Sequence, residues 1–195
     1  MAKRKIDRKQ TARIVDALGG RSIVLVGLMG AGKTTVGRRL ANTIGLPFAD
    51  ADTAIEEAAG MTVPEIFERH GEQHFRDGER KVIGRLIGEG PMVLSTGGGA
   101  YMDAVTRALL QRRSITVWLR ADLDLLVKRT SRRNNRPLLR SDPRGTLERL
   151  IAQRYPVYSM TDLTVDSRDV PHEVMVEEIV SRLAAHLAAV PSTSK

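Results

Sequence analysis

An unbroken apolar run, Ile23-Val24-Leu25-Val26, leads directly into Gly27-Leu28-Met29-Gly30-Ala31-Gly32-Lys33-Thr34 and then into a helical pattern. No other stretch limits the fold as much. Residues apolar on both faces suit a strand buried on both sides of a parallel sheet. The octapeptide matches G-x-x-x-x-G-K-[ST] in full, and a strand before it with a helix after it is the setting in which that pattern cradles phosphate. Glycines let successive backbone N–H groups turn inward around phosphate oxygens. A helix starting near Lys33 adds the positive end of its dipole. Gly30, Ala31, Gly32, Lys33, Thr34 and Thr35 are thereby assigned to ATP. Lys33 is expected on the β- and γ-phosphates and the Thr34 hydroxyl on Mg²⁺. The bland alternative, a Gly-rich turn with a chance lysine, does not explain the flanks.

The rest of the chain repeats the strand-then-helix rhythm. Further strands are expected at Pro47–Asp50, Met92–Thr96, Ile115–Leu119 and Leu163–Val165. Helices are expected from Lys33, near Asp52, from Pro64 through Arg85, near Asp103, Asp122 and Pro143, and from Pro171 to about Ala188. That rhythm predicts a three-layer α/β/α domain around a central five-stranded parallel sheet. The 195 residues, 42% of them hydrophobic, suit one domain spanning 21–190. Residues 1–20 read as a basic, flexible arm, although Ile14, Val15 and Leu18 could line one short helix face; 191–195 read as a disordered tail.

The net charge of +8 raises the question of nucleic acid. Residues 1–20 carry +4 and residues 128–144 carry +6, which leaves −2 for everything else. A tail plus one loop is not a broad nucleic-acid face, and a basic loop suits a multiply charged small anion. There is no cysteine, which removes disulfides and thiolate metal sites and fits a reducing cytoplasm. No apolar run is long enough for a membrane span, and no apolar segment follows the basic N-terminus as a secretory signal requires. A monomer without nucleic-acid or membrane partners is expected.

The acceptor of the phosphoryl group is read from several clusters. Asp50-Ala51-Asp52 ends the second strand, where ligands sit in parallel sheets. Its two carboxylates should project in similar directions from an extended end, one ordering Mg²⁺ through water and the other taking a hydroxyl proton. In Gly71-Glu72-Gln73-His74-Phe75-Arg76-Asp77-Gly78-Glu79, Arg76 and Glu79 share a helix face. Gly97-Gly98-Gly99 ends the third strand with bare backbone donors. Arg136-Pro137-Leu138-Leu139 sits in the basic loop, expected as a mobile lid over about 131–144. Arg154-Tyr155-Pro156-Val157-Tyr158 ends the helix that follows. No guanine-recognition Asn-Lys-x-Asp is present, and the short chain with a late Arg-rich loop points to a small-molecule kinase. His70 and His74, four apart, invite a zinc reading, but the glutamate is misplaced for H-E-x-x-H and Gly71 breaks the helix. Trp118 and the methionines read as core.

In order and spacing, G-L-M-G-A-G-K-T, D-A-D, G-E-Q-H-F-R, the triple glycine, R-P-L-L and R-Y-P-V-Y resemble the shikimate kinase family over about residues 21–188. The resemblance implies a nucleoside monophosphate kinase-like fold and transfer of the γ-phosphoryl of ATP to the 3-hydroxyl of shikimate. It implies Asp52 on the reacting hydroxyl, and Asp50 with Thr34 on Mg²⁺. It places Arg76 and Arg154 on the shikimate carboxylate, with Glu79 steadying them, and Gly97, Gly98 and Gly99 under the ring hydroxyls. Arg136 falls on the transferring phosphoryl, Arg129 over adenine and Pro171 opposite it. The region of about 50–80 is the implied shikimate-binding part. Bottom-up chemistry agrees for the arginines, because guanidinium forks pair bidentately with carboxylates. Two alternatives stay open: a gluconate-kinase-like sugar-acid kinase, and a non-catalytic nucleotide-binding relative.

Overall fold

The structure is a computed structural model that describes residues 7–131 and 142–189. Five strands, β1 (Ser22–Val26), β2 (Phe48–Asp50), β3 (Val93–Ser95), β4 (Ser114–Arg120) and β5 (Leu163–Asp166), form one sheet in the order β2-β3-β1-β4-β5. Every pairing is parallel. Every residue of β1 is buried, as its continuous apolar run requires for a central strand covered on both faces. Register brings three functional strand ends level, since Leu25 lies beside Ser95 and Ser95 beside Asp50. The chain leaves β1 toward β2 on one side and later adds β4 on the other. The carboxyl end of β1 is therefore the switch point where open α/β sheets bind ligands.

The helices are α1 (Arg8–Leu18), α2 (Lys33–Ile44), α3 (Ala51–Ala59), α4 (Val63–Gly88), α5 (Ala104–Arg113), α6 (Leu123–Thr130), α7 (Pro143–Tyr158) and α8 (His172–Ala189), with a 3-10 turn at Ala100–Met102. α2 and α8 cover one face of the sheet, and α5 packs on β4 from the other, beside α4. Asp103, Asp122 and Asp142 each accept a backbone N–H at the start of the next helix, so the expected starts there rest on side-chain caps. α4 opens with a full capping box between Thr62 and Glu65. It breaks at Gly71, whose φ of 79° and ψ of 174° leave the helical region.

One expectation is corrected. Residues 8–18 are not part of a flexible arm but form α1, packed on α8 and α2. Asp7 caps its start, Gly19 ends it in the left-handed region, and Ile14 and Leu18 are buried in the common core. Two full-size aliphatic side chains outweigh the basic composition that suggested a solvated tail. Arg132, Arg133, Arg136 and Arg140, with most of the expected lid, lie outside the described residues, as do 1–6 and 191–195.

Candidate active site

The phosphate loop owes its path to a close backbone approach. A Cβ on Gly27 would stand 2.8 Å from the Leu119 carbonyl oxygen of β4, and φ there is 151°, so only glycine fits. Gly32 is the N-cap of α2 and offers no side-chain cap. The first N–H groups of α2 therefore remain available to a phosphate. Lys33 Nζ donates to the Gly27 carbonyl at 2.8 Å and to that of Leu28 at 3.1 Å, which holds the ammonium across the loop's mouth. Thr34 and Thr35 line the cleft beyond it; the expected Ala31 is buried, does not line the cleft, and donates its N–H to the Leu28 carbonyl at 3.1 Å.

The two aspartates are arranged differently from the expectation. Asp50 closes β2 as the N-cap of α3, its Oδ1 accepting the Asp52 N–H at 3.1 Å. Asp52 sits in the first turn of α3 rather than on an extended end. The preference of aspartate for N-caps explains the difference, since the helix begins one residue after the strand stops. Asp50 Oδ2 accepts the Thr34 hydroxyl proton at 2.8 Å. A hydroxyl and one carboxylate, both hard oxygen donors at the end of the phosphate loop, suit Mg²⁺, which keeps water and phosphate as its other ligands. Among the described residues no three or more His, Asp or Glu side chains gather into a fuller metal cage. That includes His70 and His74, whose rings lie 4.8 Å apart.

Opposite the phosphate loop, four side chains crowd the triple glycine. A Cβ on Gly97 would fall 2.8 Å from Asp52 Oδ1 and 3.0 Å from Glu79 Oε1. On Gly98 it would fall 2.9 Å from an Arg154 guanidinium nitrogen, and on Gly99 2.4 Å from one of Arg76. The glycines are there for space: they let charged groups from α3, α4 and α7 converge on one wall. Arg76 donates to Glu79 Oε2 at 2.7 Å and reaches Glu72 at 3.2 Å. Glu79 is only 2% exposed, and its Oε1 has no hydrogen-bond partner among the described residues. Burial pushes its carboxyl pKa up, against the pull of Arg76. Asp52 opens onto the cleft, yet the protein mass around it, and then the Asp50 carboxylate, push its pKa up against the pull of Lys33.

At the far end of the cleft Arg129 is pinned by Ser167 Oγ at 3.0 Å and the Arg168 carbonyl at 2.7 Å, with the Gly30 carbonyl at 3.3 Å. Ser167 in turn donates to the Ala31 carbonyl at 2.9 Å. His172 lines this end of the cleft, whereas the expected Pro171 stands just ahead of α8 and does not. The cleft measures about 670 Å³ and joins the loop, the aspartates, the glycine wall and Arg129 in one space. Sequence reasoning missed its apolar side, Val63, Pro64, Phe67 and Phe75, and also His172 and Ser167. Phe75 precedes Arg76 on α4 and stacks against Phe67 at 4.7 Å. Its position inside the G-E-Q-H-F-R cluster was the one available signal. The R-Y-P-V-Y motif gives its tyrosines no role by sequence alone, and both hydroxyls are bonded to backbone carbonyls, Tyr155 to Ala121 and Tyr158 to Gly98.

A phosphate loop at the carboxyl edge of a parallel sheet, facing a wall of paired carboxylates and guanidinium groups, defines a P-loop phosphotransferase acting on a small molecule. The shikimate kinase family model matches residues 29–184, and the chain belongs to that family. It is 58% identical over 183 residues to the shikimate kinase of Bradyrhizobium diazoefficiens, covering 93% of this chain and 88% of the relative. Among solved structures it is similar to the shikimate kinase of Acinetobacter baumannii in complex with shikimate. That pair has a TM-score of 0.83 and 38% identity over 88% of this chain and 97% of the other. A gluconokinase from Sinorhizobium meliloti, at 22% identity and a TM-score of 0.53 over 87% of this chain and 92% of its own, shares the fold alone. No helix among the described residues is long and apolar enough to cross a membrane.

Proposed function

We propose that this chain transfers the γ-phosphoryl of ATP to the 3-hydroxyl of shikimate, giving shikimate 3-phosphate and ADP for aromatic amino acid biosynthesis. The observation that carries the reading is the convergence of Asp52, Glu79, Arg76 and Arg154 on Gly97–Gly99 across the cleft from Lys33. Arg76 and Arg154 take the shikimate carboxylate, since a buried anion needs paired donors. That fixes the ring so that its 3-hydroxyl meets Asp52. The hydroxyl oxygen attacks the γ-phosphorus in line. A new O–P bond forms as the bond to the β–γ bridging oxygen breaks, and the hydroxyl proton passes to the Asp52 carboxylate. A raised pKa makes that carboxylate a better proton acceptor. Lys33 leaves its carbonyl partners for the phosphates, and Arg136 supplies charge to the transferring group. Arg129 holds the adenine end. Mg²⁺, held by Thr34 and Asp50, would neutralise the β- and γ-phosphates. We take the enzyme to act as a monomer in the cytoplasm.

The test is coupled ADP release with shikimate, with gluconate and with no acceptor. Shikimate alone should drive turnover. Release driven by gluconate would move the assignment to a sugar-acid kinase, and no release with either acceptor would reject a catalytic role.

A further inference from the structure

Tyr158 is the last residue of α7, and its side chain is fully buried. Its hydroxyl nevertheless reaches the acceptor wall, donating its proton to the Gly98 carbonyl. Burial pushes the phenol pKa up, opposed by the charge of Arg154 and a hydrogen bond from it, so the hydroxyl keeps its proton. Its ring is held edge-on by Trp118, with centroids 6.0 Å apart, and by Tyr101 at 6.5 Å. Arginine has donors only, and a phenol carries one proton. The phenol proton therefore goes to the Gly98 oxygen, and the Arg154 guanidinium lies beside it on the same glycine, 2.9 Å from the place of a Gly98 Cβ where Tyr158 Oη is at 3.6 Å.

That bond sets the orientation of a peptide. No peptide bond among the described residues is cis. In a trans peptide the C=O and the following N–H point in opposite directions. With the Gly98 carbonyl turned inward to a buried phenol, the Gly99 N–H is turned outward, on a wall that lines the cleft. Among the described residues neither the Gly98 nor the Gly99 N–H has a backbone acceptor. A linked chain of hydrogen bonds also stiffens each member.

We propose that Tyr158 is a positioning residue for the acceptor. Its hydroxyl holds the Gly98–Gly99 peptide with its N–H toward the substrate and holds the Arg154 guanidinium in the same act. The inference rests on the shikimate kinase reading of the cleft. Tyr155 supplies the internal control. It lies on the same helix, packs edge-on against Trp118 at 4.8 Å and also donates to a carbonyl, but that carbonyl belongs to Ala121, which does not line the cleft, whereas Gly98 does.

The experiment compares wild type, Tyr158→Phe and Tyr155→Phe by steady-state kinetics with both substrates varied, and by thermal melting. Leaving a wall carbonyl unpaired and a guanidinium loose should raise the shikimate KM of Tyr158→Phe by about tenfold, with the ATP KM unchanged. Tyr155→Phe should melt lower by a similar amount yet keep its shikimate KM. Adding Arg154→Lys to Tyr158→Phe should multiply KM by less than the two single effects, because one chain is broken twice. A shikimate KM that stays at the wild-type value in Tyr158→Phe, or that rises in step with the ATP KM, overturns the inference while wild-type turnover leaves the functional reading intact. A wild-type enzyme that does not turn over shikimate overturns both.

Discussion

Gly99→Ala isolates the carboxylate clamp without touching a charged residue. Gly99 has φ −92° and ψ −22°, which alanine adopts freely, so no backbone strain enters. The whole effect is steric. The new methyl would lie 2.4 Å and 2.5 Å from the two terminal nitrogens of Arg76. Ordinary contact needs roughly 3.5 Å, so the guanidinium must retreat by about 1 Å. Its 2.7 Å bond to Glu79 does not survive that movement. A hydrogen bond to a charged group is worth roughly 1.5–3 kcal/mol. Arg76 keeps 24% of its side-chain surface exposed, so solvent screening reduces the figure to about 1–2 kcal/mol. The shikimate KM should therefore rise about 5–30-fold. Melting should fall by a few degrees, since each kcal/mol lost shifts the midpoint of a domain this size by roughly 2–4 °C and the buried Glu79 loses its partner. The ATP KM should not move. Gly78→Ala, on the helix that carries Arg76 and with open space around its missing Cβ, is the control and should match wild type. A Gly99→Ala enzyme with wild-type acceptor KM would show that Arg76 does not bind the acceptor from this position.

Asp52→Asn should lower kcat by about 10²–10⁴-fold, the usual worth of a positioned base, with ATP binding by calorimetry unchanged. Glu79→Gln should weaken shikimate binding yet alter the pH dependence of stability: the buried carboxyl has its pKa raised above 4.5, so wild type binds more protons folded than unfolded and loses stability as pH rises from about there through the raised value. Urea titrations across that range should show wild type declining relative to Glu79→Gln, with no divergence below it. Leu18→Ala should cost roughly 2–5 kcal/mol in urea titrations while kcat at low temperature stays at wild type, since Leu18 is fully buried but remote from the cleft. Arg136→Ala should reduce kcat by about 10³–10⁵-fold with a small change in ATP affinity, and lysine should rescue only partly because a point charge does not fork across two oxygens.

What the sequence disclosed depended on how local each signal was. β1 and the phosphate loop were legible because strand, turn and helix follow one another without interruption, so the motif carries its own context. The helix starts at Asp103, Asp122 and Pro143 were legible because caps and N1 prolines act within one turn. The strand end at Asp50 was legible, but the directions of the two carboxylates were not: nothing local says whether the chain stays extended to Asp52 or turns at once into a helix capped by Asp50. α1 was misread because two buried aliphatic side chains, in a segment of residues 1–20 with six bases and two acids, give a weak pattern, and only α8 and α2 make them core. Ser167, His172 and, apart from Phe75, the apolar wall were not legible. Each matters through what tertiary packing places beside it, Ser167 through Arg129 and the Ala31 carbonyl.

The two halves of the cleft also differ in what they demand of the chain. On the nucleotide side the cleft presents mainly a glycine turn, the start of α2 and Lys33, which the fold supplies wherever such a turn meets a helix start. That chemistry is indifferent to the acceptor. On the acceptor side the selecting groups are long side chains from α3, α4 and α7, and they meet only because three consecutive residues lack a Cβ. The wall also holds its charges at a cost: among the described residues Glu79 is buried with one oxygen unpaired, and the Asp52 pKa is pushed up. A group arranged for stability alone would not be left so. An incoming carboxylate and hydroxyl add an anion that Arg76 and Arg154 can share and a proton donor for the carboxylates. Selectivity for a hydroxylated acid over a neutral polyol follows from that complementarity, because an acceptor without the carboxylate leaves two arginines crowded on the glycines with no anion between them.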